Sequence, residues 1–245
     1  MEFRILFDGT VAKHIEQPDD NEDAYRIAQE RGRVVLSDGA SESFDAKSWA
    51  NLLVDECIDT APLDEALSSC IQKYNLLHDP STLSWSKAAA YERGSFATML
   101  IVQDDPIHEN VSVSALGDSL AVWSDGHNLL DTTPYSCADQ FTQKPTLLAT
   151  RNELNPLLSD TNSVFLTQKD WSYRDNQTHL LLCMTDALGA WLLHHQEHGD
   201  SLALERLISI RSQKELQELV ETERATGKLR RDDTTLILIS LTSEI

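Results

Sequence analysis

Basic residues are scarce in this sequence relative to acidic ones. Its 245 residues include 20 Lys and Arg against 40 Asp and Glu, which gives a formal net charge of −20 at pH 7. Nucleic-acid binding depends mostly on neutralising phosphates with Lys and Arg, and anionic membrane surfaces attract the same residues. We therefore expect neither a nucleic acid nor a membrane as a partner.

Long apolar runs and paired cysteines are also absent. No apolar stretch approaches the roughly 20 residues of a membrane-spanning helix, and residues 1–13 mix acidic with apolar side chains, unlike a signal peptide. Cys57, Cys70, Cys137 and Cys183 form no Cys-x-x-Cys pair and begin no Cys-x5-Arg loop, which excludes a cysteine-based phosphatase. We expect each to be a small buried hydrophobe in a reducing compartment, and the protein to be cytoplasmic.

The remaining composition is that of an ordinary globular protein, with 41% hydrophobic and 24% charged residues. No repeat, low-complexity tract or Pro/Gly-rich linker divides it, so we expect a single domain over residues 1–245. Short apolar runs typical of strands extend along the whole chain, whereas helical patterns fall in two blocks. This order favours an α+β layered sandwich over a doubly wound parallel sheet.

Particular segments can be assigned from these patterns. The apolar runs are residues 3–7, 34–36, 97–102, 111–116, 120–123, 180–184 and 236–241. The helical patterns cover residues 47–59, 64–78 and 84–93, and then 187–198, 201–210 and 213–225. Residues 111–123 predict a β-hairpin that turns at Gly117-Asp118-Ser119. The polar segment 130–176 is weakly patterned, and we expect it to be mostly irregular.

Acidic residues lie at the ends of several predicted strands. Asp38, Asp118 and Asp186 each follow an apolar run, and Asp232 precedes the last one. A turn-forming aspartate explains any one of them alone. Carboxylates gathered at one rim, however, repel one another unless protons or metal ions compensate. Because Mg²⁺ and Mn²⁺ prefer oxygen ligands, the set as a whole predicts a metal centre that activates water.

Six short motifs resemble, in their order, those of the metal-dependent serine/threonine protein phosphatases of type 2C, in a compact bacterial form. They are Asn21-Glu22-Asp23-Ala24, Val35-Leu36-Ser37-Asp38-Gly39-Ala40, Gly94-Ser95-Phe96-Ala97-Thr98, Leu116-Gly117-Asp118-Ser119, Met184-Thr185-Asp186-Ala187-Leu188 and Asp232-Asp233-Thr234-Thr235-Leu236. The resemblance covers nearly the whole chain. It implies an α-β-β-α four-layer sandwich, in which two antiparallel sheets are flanked by helices.

The resemblance also implies a site and a reaction. Its catalytic metal ligands are Asp38, Asp186 and Asp232, with Asp38 bridging two metals. The full implied metal set is Glu22, Asp23, Asp38, Gly39, Asp118, Asp186 and Asp232, with Gly39 binding through its carbonyl and Asp118 near a third metal. The implied cofactors are two or three Mn²⁺ or Mg²⁺ ions. The implied reaction is hydrolysis of phosphoserine and phosphothreonine on proteins by metal-activated water, with a phosphorylated protein as substrate and a cognate Ser/Thr kinase as a further partner.

The sequence departs from the family pattern where the substrate phosphate is held. The family usually has an arginine four residues before the position of Glu22, and here that residue is Pro18. Lys13, His14 or Arg231 could take its place. Losing the arginine would cost about one charge-assisted contact to phosphate.

Smaller departures affect the residues beside the ligands. Ala40 stands where many eukaryotic members have histidine, Ala187 replaces a glycine, and Asp233 replaces the usual asparagine of the last motif. Each of these changes leaves the expected ligand itself in place.

Two alternatives remain beside this interpretation. One is a catalytically weak or inactive type 2C-fold signalling module that binds a kinase or a phosphoprotein. Another is a metal phosphohydrolase that acts on a small phosphoester. His194 and His198 have the spacing of a zinc pair, but no HExxH motif contains them, and solvated histidines at a helix end explain them better.

Overall fold

The computed structural model describes residues 2–59, 62–155, 167–174 and 177–242. Its strands are Glu2–Val11 (β1), Ala24–Ala28 (β2), Arg33–Ser37 (β3), Phe96–Ala97 (β4), Met99–Asp105 (β5), Asn110–Leu116 (β6), Leu120–Ser124 (β7), Leu129–Thr133 (β8), Leu148–Ala149 (β9), Thr167–Ser172 (β10), Thr178–Met184 (β11) and Thr234–Thr242 (β12). Its α-helices are Ala46–Cys57 (α1), Leu63–Leu77 (α2), Trp85–Arg93 (α3), Asp186–Glu197 (α4), Leu202–Ser209 (α5) and Gln213–Ala225 (α6).

Two five-stranded antiparallel sheets stack face to face. The first sheet has the order β1-β12-β11-β7-β8, and the second has the order β10-β6-β5-β3-β2. In β11, Leu181 and Cys183 lie between the sheets, whereas Leu182 and Met184 lie on the outer face of the first sheet. Because both faces of β11 are buried, its sequence is a continuous apolar run rather than an alternating one.

Helices cover both outer faces. Trp191 of α4, Leu204 of α5 and Leu216 of α6 share a core with the first sheet. Trp49 of α1 and Leu67 of α2 share a core with the second. The layers therefore run helix, sheet, sheet, helix, which confirms the expected α-β-β-α four-layer sandwich. None of the helices in the described ranges combines the length and the apolar character that crossing a membrane requires.

The expected helices all form, and their ends lie within about two residues of the predicted ones. Helix α1 begins where Asp45 accepts a hydrogen bond from the amide of Ser48 at 3.1 Å, which caps its first turn. The four cysteines are free, and three are buried as expected. Cys137 is half-buried instead, because it precedes the short 3₁₀ helix Ala138–Thr142, which contains no buried residue.

The predicted hairpin at residues 111–123 is wrong. Strand β6 pairs with β5 and β10 in the second sheet, whereas β7 pairs with β11 and β8 in the first. The turn at Gly117 carries the chain from one sheet to the other. Gly117 has φ +101°, and a Cβ there would lie 2.6 Å from Cγ2 of Thr98. Alternating apolar residues predict the two strands correctly, but they do not reveal which neighbours each strand pairs with.

The segment 130–176 is more regular than expected. It contains most of β8, all of β9 and β10, and two short 3₁₀ helices, Ala138–Thr142 and Asn152–Leu154. Strand β10 is an edge strand with mostly exposed or half-buried side chains, of which Trp171 is buried. An edge strand with so few apolar residues leaves little pattern in the sequence. Residues 156–166 and 175–176 of this segment lie outside the described residues.

Candidate metal centre

Three chain segments meet at one end of the first sheet, where β11 ends and where β7 and β12 begin. Met184, at the end of β11, pairs with Leu236 near the start of β12 and with Leu120 at the start of β7. Asp186 lies two residues after Met184, and Asp232 lies two residues before β12. Pairing in register thus places Asp118, Asp186 and Asp232 at one rim of this sheet.

The second sheet ends at the same rim. Strand β3 ends at Ser37, opposite Ala24 at the start of β2, so that Asp38 and Asp23 are neighbours at this edge. Strand β6 ends beside the start of β5, and the turn after it contains Asp118. At this turn the chain passes from β6 of the second sheet to β7 of the first, so that the two sheets are covalently connected at the rim.

Asp23 joins the two rims through hydrogen bonds. Its Oδ2 accepts from the hydroxyl of Thr235 at 2.6 Å and from the hydroxyl of Thr185 at 3.1 Å, and both threonines belong to the first-sheet side. Its Oδ1 is buried and has no hydrogen-bond partner among the described residues. One carboxylate oxygen is therefore fixed while the other stays available.

The backbone at Asp38 is held by a buried threonine. The Asp38 amide donates to Oγ1 of Thr98 at 2.9 Å, and that oxygen lies 2.7 Å from the hydroxyl of Ser119. The Thr98 amide donates in turn to the carbonyl of Asp38 at 2.9 Å. Thr98 thus links the chain at Asp38 to the sheet-crossing turn.

Gly39 lies in a space that admits no side chain. A Cβ at this position would lie 2.9 Å from the carbonyl oxygen of Glu22 and 3.0 Å from Ala46. This close approach brings the backbone after Asp38 against the loop that contains Glu22. A glycine is required here by packing.

Burial and repulsion between carboxylates raise the pKa values of three rim carboxyls, those of Asp38, Asp118 and Asp186. Burial, reinforced by Asp23 and Asp186, holds the pKa of Asp38 well above its usual value. Burial raises the pKa of Asp118 to about 7, with Asp186 adding to the effect. Burial also raises the pKa of Asp186, although Arg230 opposes that rise. The carboxyls at this rim are therefore short of cationic partners.

Among the residues that the structure describes, two cationic side chains form ion pairs with these carboxylates. The guanidinium of Arg230 pairs with Oδ2 of Asp186, and its Nη2 lies 3.2 Å from Oδ2 of Asp232. The Lys13 ammonium lies 3.5 Å from Oδ1 of Asp232. The sequence offers Lys13 as a phosphate contact. It also places Arg230 with Arg231 in a basic pair beside Asp232, which is explained more simply as balancing the neighbouring acids at the surface.

No family model matches the chain, and neither does any curated protein. Among solved structures, a bacterial serine phosphatase has a TM-score of 0.64 at 16% identity, covering 100% of this chain and 99% of that one. The serine/threonine phosphatase PstP/Ppp of Mycobacterium tuberculosis has 0.63 at 14%, with 100% of both chains covered. Stp1 from Staphylococcus aureus has 0.62 at 15%, covering 98% and 94%.

The chain has the type 2C phosphatase fold. Within this type 2C fold, the expected ligands Glu22, Asp23, Asp38, Asp118, Asp186 and Asp232 all lie at the rim where the two sheets meet. His14 and Arg231 are exposed and adjoin Lys13 and Asp232 in the chain.

The type 2C rim fits a hard divalent cation in donor chemistry. Its side chains offer carboxylate oxygens, and Oδ1 of both Asp23 and Asp186 is buried with no hydrogen-bond partner in the described ranges. Burial, together with repulsion from neighbouring carboxylates, raises the pKa values of Asp38 and Asp118, and a bound cation would offset both effects by favouring the charged forms. In the part of the chain that the structure describes, no three Asp, Glu, His or Cys side chains are arranged closely enough to hold a metal ion without further movement. Arg230 pairs with two of the carboxylates instead.

The histidines of α4 lie apart from this centre in the chain. His194 and His198 are exposed at the C-terminal end of the helix, and Nδ1 of His198 lies 2.7 Å from the carbonyl oxygen of His194. This capping contact accounts for their four-residue spacing without a zinc ion.

Proposed function

We propose that this chain is a Mn²⁺- or Mg²⁺-dependent hydrolase that removes phosphate from phosphoserine and phosphothreonine on proteins. The observation that carries the proposal is the meeting of carboxylates from both sheets at one rim, where two buried oxygens lack a hydrogen-bond partner in the part of the chain that the structure describes. Proteins of the same fold that are named serine/threonine phosphatases support the reaction class. We take residues 1–245 to act as one type 2C domain. Four free cysteines support a reducing, cytoplasmic setting.

Each rim residue has a proposed role. Asp38, Asp186 and Asp232 would hold the first ion, and Asp38 with the carbonyl of Gly39 would hold the second. Glu22 and Asp23 would lie near the second ion, and Asp118 near a third. Such ions lower the pKa of water and offset negative charge on phosphoryl oxygens. Thr98 would keep the backbone of Asp38 in place while the charge changes.

Lys13, His14 and Arg231 are the proposed contacts for the substrate phosphate. Lys13 is the best placed of the three, because its ammonium lies 3.5 Å from Asp232 and its side chain is 37% exposed. Replacing each with alanine and measuring KM for a phosphothreonine peptide tests them separately. A residue whose loss leaves KM unchanged has no such role.

A single assay tests the reaction. The purified chain would be given p-nitrophenyl phosphate and a phosphothreonine peptide, with Mn²⁺ or with EDTA. We expect turnover of both with Mn²⁺, none with EDTA, and none for Asp38→Asn. The exposed Asp8→Asn is the matched control, since it makes the same change in a carboxylate on β1 that accepts the Tyr25 hydroxyl. Turnover of the small ester alone would indicate a phosphohydrolase of small molecules.

One observation favours a second candidate function. Arg230 pairs with Asp186 and Asp232, two of the three proposed ligands of the first ion. If this pairing were permanent, the chain would be an inactive type 2C module that binds a kinase or a phosphoprotein. Failure of Mn²⁺ to produce any turnover, with the fold intact, would count against the hydrolase and favour this alternative.

A further inference from the structure

Arg230 reaches from the surface into the carboxylate cluster. Its side chain is 53% exposed, yet its guanidinium contacts the carboxylate of Asp186, which is only 13% exposed. Asp232 lies 3.2 Å from the same nitrogen. Its positive charge also interacts electrostatically with the carboxyls of Asp38 and Asp118. The guanidinium therefore serves as the counter-cation of the cluster in the metal-free protein.

A divalent ion bound by Asp186 and Asp232 would compete for the carboxylates that Arg230 pairs with. Arginine stays charged at any pH where the protein is folded, so it cannot yield these positions by losing a proton. It can only move away. An exposed, flexible side chain allows this movement, because the contacts described for its guanidinium are those to the two carboxylates.

The neighbouring cationic side chains, Arg224 and Lys13, make different contacts from those of Arg230. The guanidinium of Arg224 donates to the carbonyl oxygens of Ala12, at 2.9 Å, and of Asp232, and to Oγ1 of Thr234 at 3.1 Å. These neutral acceptors hold it in place whatever the charge of the cluster. Lys13 approaches one carboxylate oxygen with a single ammonium group. Of the two described cations that pair with these carboxylates, Arg230 is the one whose planar fork matches a phosphate, and its side chain is 53% exposed.

We propose that Arg230 is an exchangeable cation of this site, an inference that rests on the proposed phosphatase function. In the metal-free protein it pairs with Asp186 and Asp232. When divalent ions bind, it leaves these carboxylates and binds the phosphate of the substrate. It thereby supplies the guanidinium that the chain lacks at Pro18.

The first arm of the test measures metal affinity without turnover. Calorimetric titration with Mn²⁺ is carried out on the whole chain, on Arg230→Gln and on Arg230→Lys. We expect Arg230→Gln to bind Mn²⁺ about tenfold more tightly than wild type, because no competing cation has to be displaced. Arg230→Lys keeps the charge and should stay within about threefold of wild type.

Arg31→Gln is the matched control. Arg31 is a surface arginine whose guanidinium lies 2.9 Å from Asp59, and it precedes β3, at the opposite end of this strand from Asp38. The substitution removes the same charge and one exposed ion pair. We expect it to leave the Mn²⁺ affinity unchanged, which separates a local competition from an effect of net charge.

The second arm measures phosphate binding. Inorganic phosphate is titrated into the same proteins saturated with Mg²⁺, and we expect Arg230→Gln to bind it about tenfold more weakly than wild type. Arg230→Lys should lose part of that affinity, because it keeps the charge but not the fork. Unchanged Mn²⁺ affinity in Arg230→Gln, or unchanged phosphate affinity in both variants, would overturn the proposal. Neither arm requires turnover, so failure of the p-nitrophenyl phosphate assay counts against the hydrolase alone.

Discussion

Asp233 accepts a hydrogen bond from the backbone amide of Glu22 at 2.8 Å, across a separation of 211 residues. Its other carboxylate oxygen accepts from the amide of Lys13 at 2.6 Å. The side chain is buried at 6% exposure. Asp233 therefore ties the N-terminal loop at the rim to the start of β12. An asparagine would offer only one acceptor to these two donors.

Asp233→Asn is expected to destabilise the metal-free protein. One amide would lose its acceptor and face an NH₂ group, which costs about 1–3 kcal/mol of unfolding free energy. Urea unfolding in EDTA measures this loss. The exposed Asp8→Asn, which retains an acceptor for the Tyr25 hydroxyl, is expected to change stability by less than about 0.5 kcal/mol. Equal stability of the two variants would contradict the role of Asp233 in tying the N-terminal loop to the start of β12.

Thr98→Val should weaken both the fold and the response to metal. The substitution preserves shape but removes the oxygen that accepts from the Asp38 amide at 2.9 Å. We expect a loss of about 1–3 kcal/mol, together with a smaller rise in melting temperature on adding Mn²⁺. Thr98→Ser keeps the hydroxyl and should restore the Mn²⁺ response. If valine and serine behave alike, the hydroxyl does not position Asp38.

Gly39→Ala tests whether close packing after Asp38 serves the metal centre. Its new methyl group would press on the carbonyl of Glu22 and on Ala46, so we expect a loss of about 1–3 kcal/mol and a reduced Mn²⁺ response. Gly199→Ala is the comparison, because a Cβ at Gly199 would meet no described atom within 4 Å, although the backbone there has φ +76°. That variant should lose about 1 kcal/mol through backbone strain and keep its full Mn²⁺ response. A normal rise in melting temperature with Mn²⁺ in Gly39→Ala would show that close packing at Gly39 does not serve the metal centre.

Stability of the metal-free protein should fall as the pH rises from about 4 to about 7. Burial raises the pKa of Asp118 from its usual 3.8 to about 7, so between these values the folded state holds a proton that the unfolded state has released. This contribution is complete below the unfolded pKa and is lost as the pH reaches the folded one, with a slope of up to about 1.4 kcal/mol per pH unit.

Asp118→Asn isolates this contribution, since the amide cannot titrate. The unfolding free energy of wild type minus that of the variant, measured in EDTA, should decrease between pH 4 and 7 and level off above. Parallel curves for the two proteins would show that Asp118 does not titrate in this range.

Much of the fold could be predicted from the sequence, because periodicity reports directly on burial. Residues 213–225 form α6 with the predicted bounds, since their apolar positions recur at helical spacing and Ser212 caps the first turn. The pairing of strands could not be predicted in the same way. Residues 111–123 look like a hairpin because both strands and the turn between them are correctly recognised. Their sheet partners, β5, β10, β11 and β8, lie elsewhere in the chain.

The candidate site could likewise be predicted from the sequence only in part. Acidic residues at strand ends could be recognised because each lies beside its own apolar run, as Asp38 does after β3. The contacts of Arg230 and Asp233 could not, because their partners Asp186 and Glu22 are 44 and 211 residues away. Only the folded rim shows that a guanidinium pairs with two of the proposed ligands.

The melting temperature with and without Mn²⁺ tests most directly whether this rim is a metal centre. An ion that binds the folded state alone stabilises it, so Mn²⁺ should raise the melting temperature of wild type above that in EDTA. Asp38→Asn should show little or no rise, while Asp8→Asn should show the full one. Identical melting curves of wild type in Mn²⁺ and in EDTA would contradict the metal centre and the hydrolase built on it.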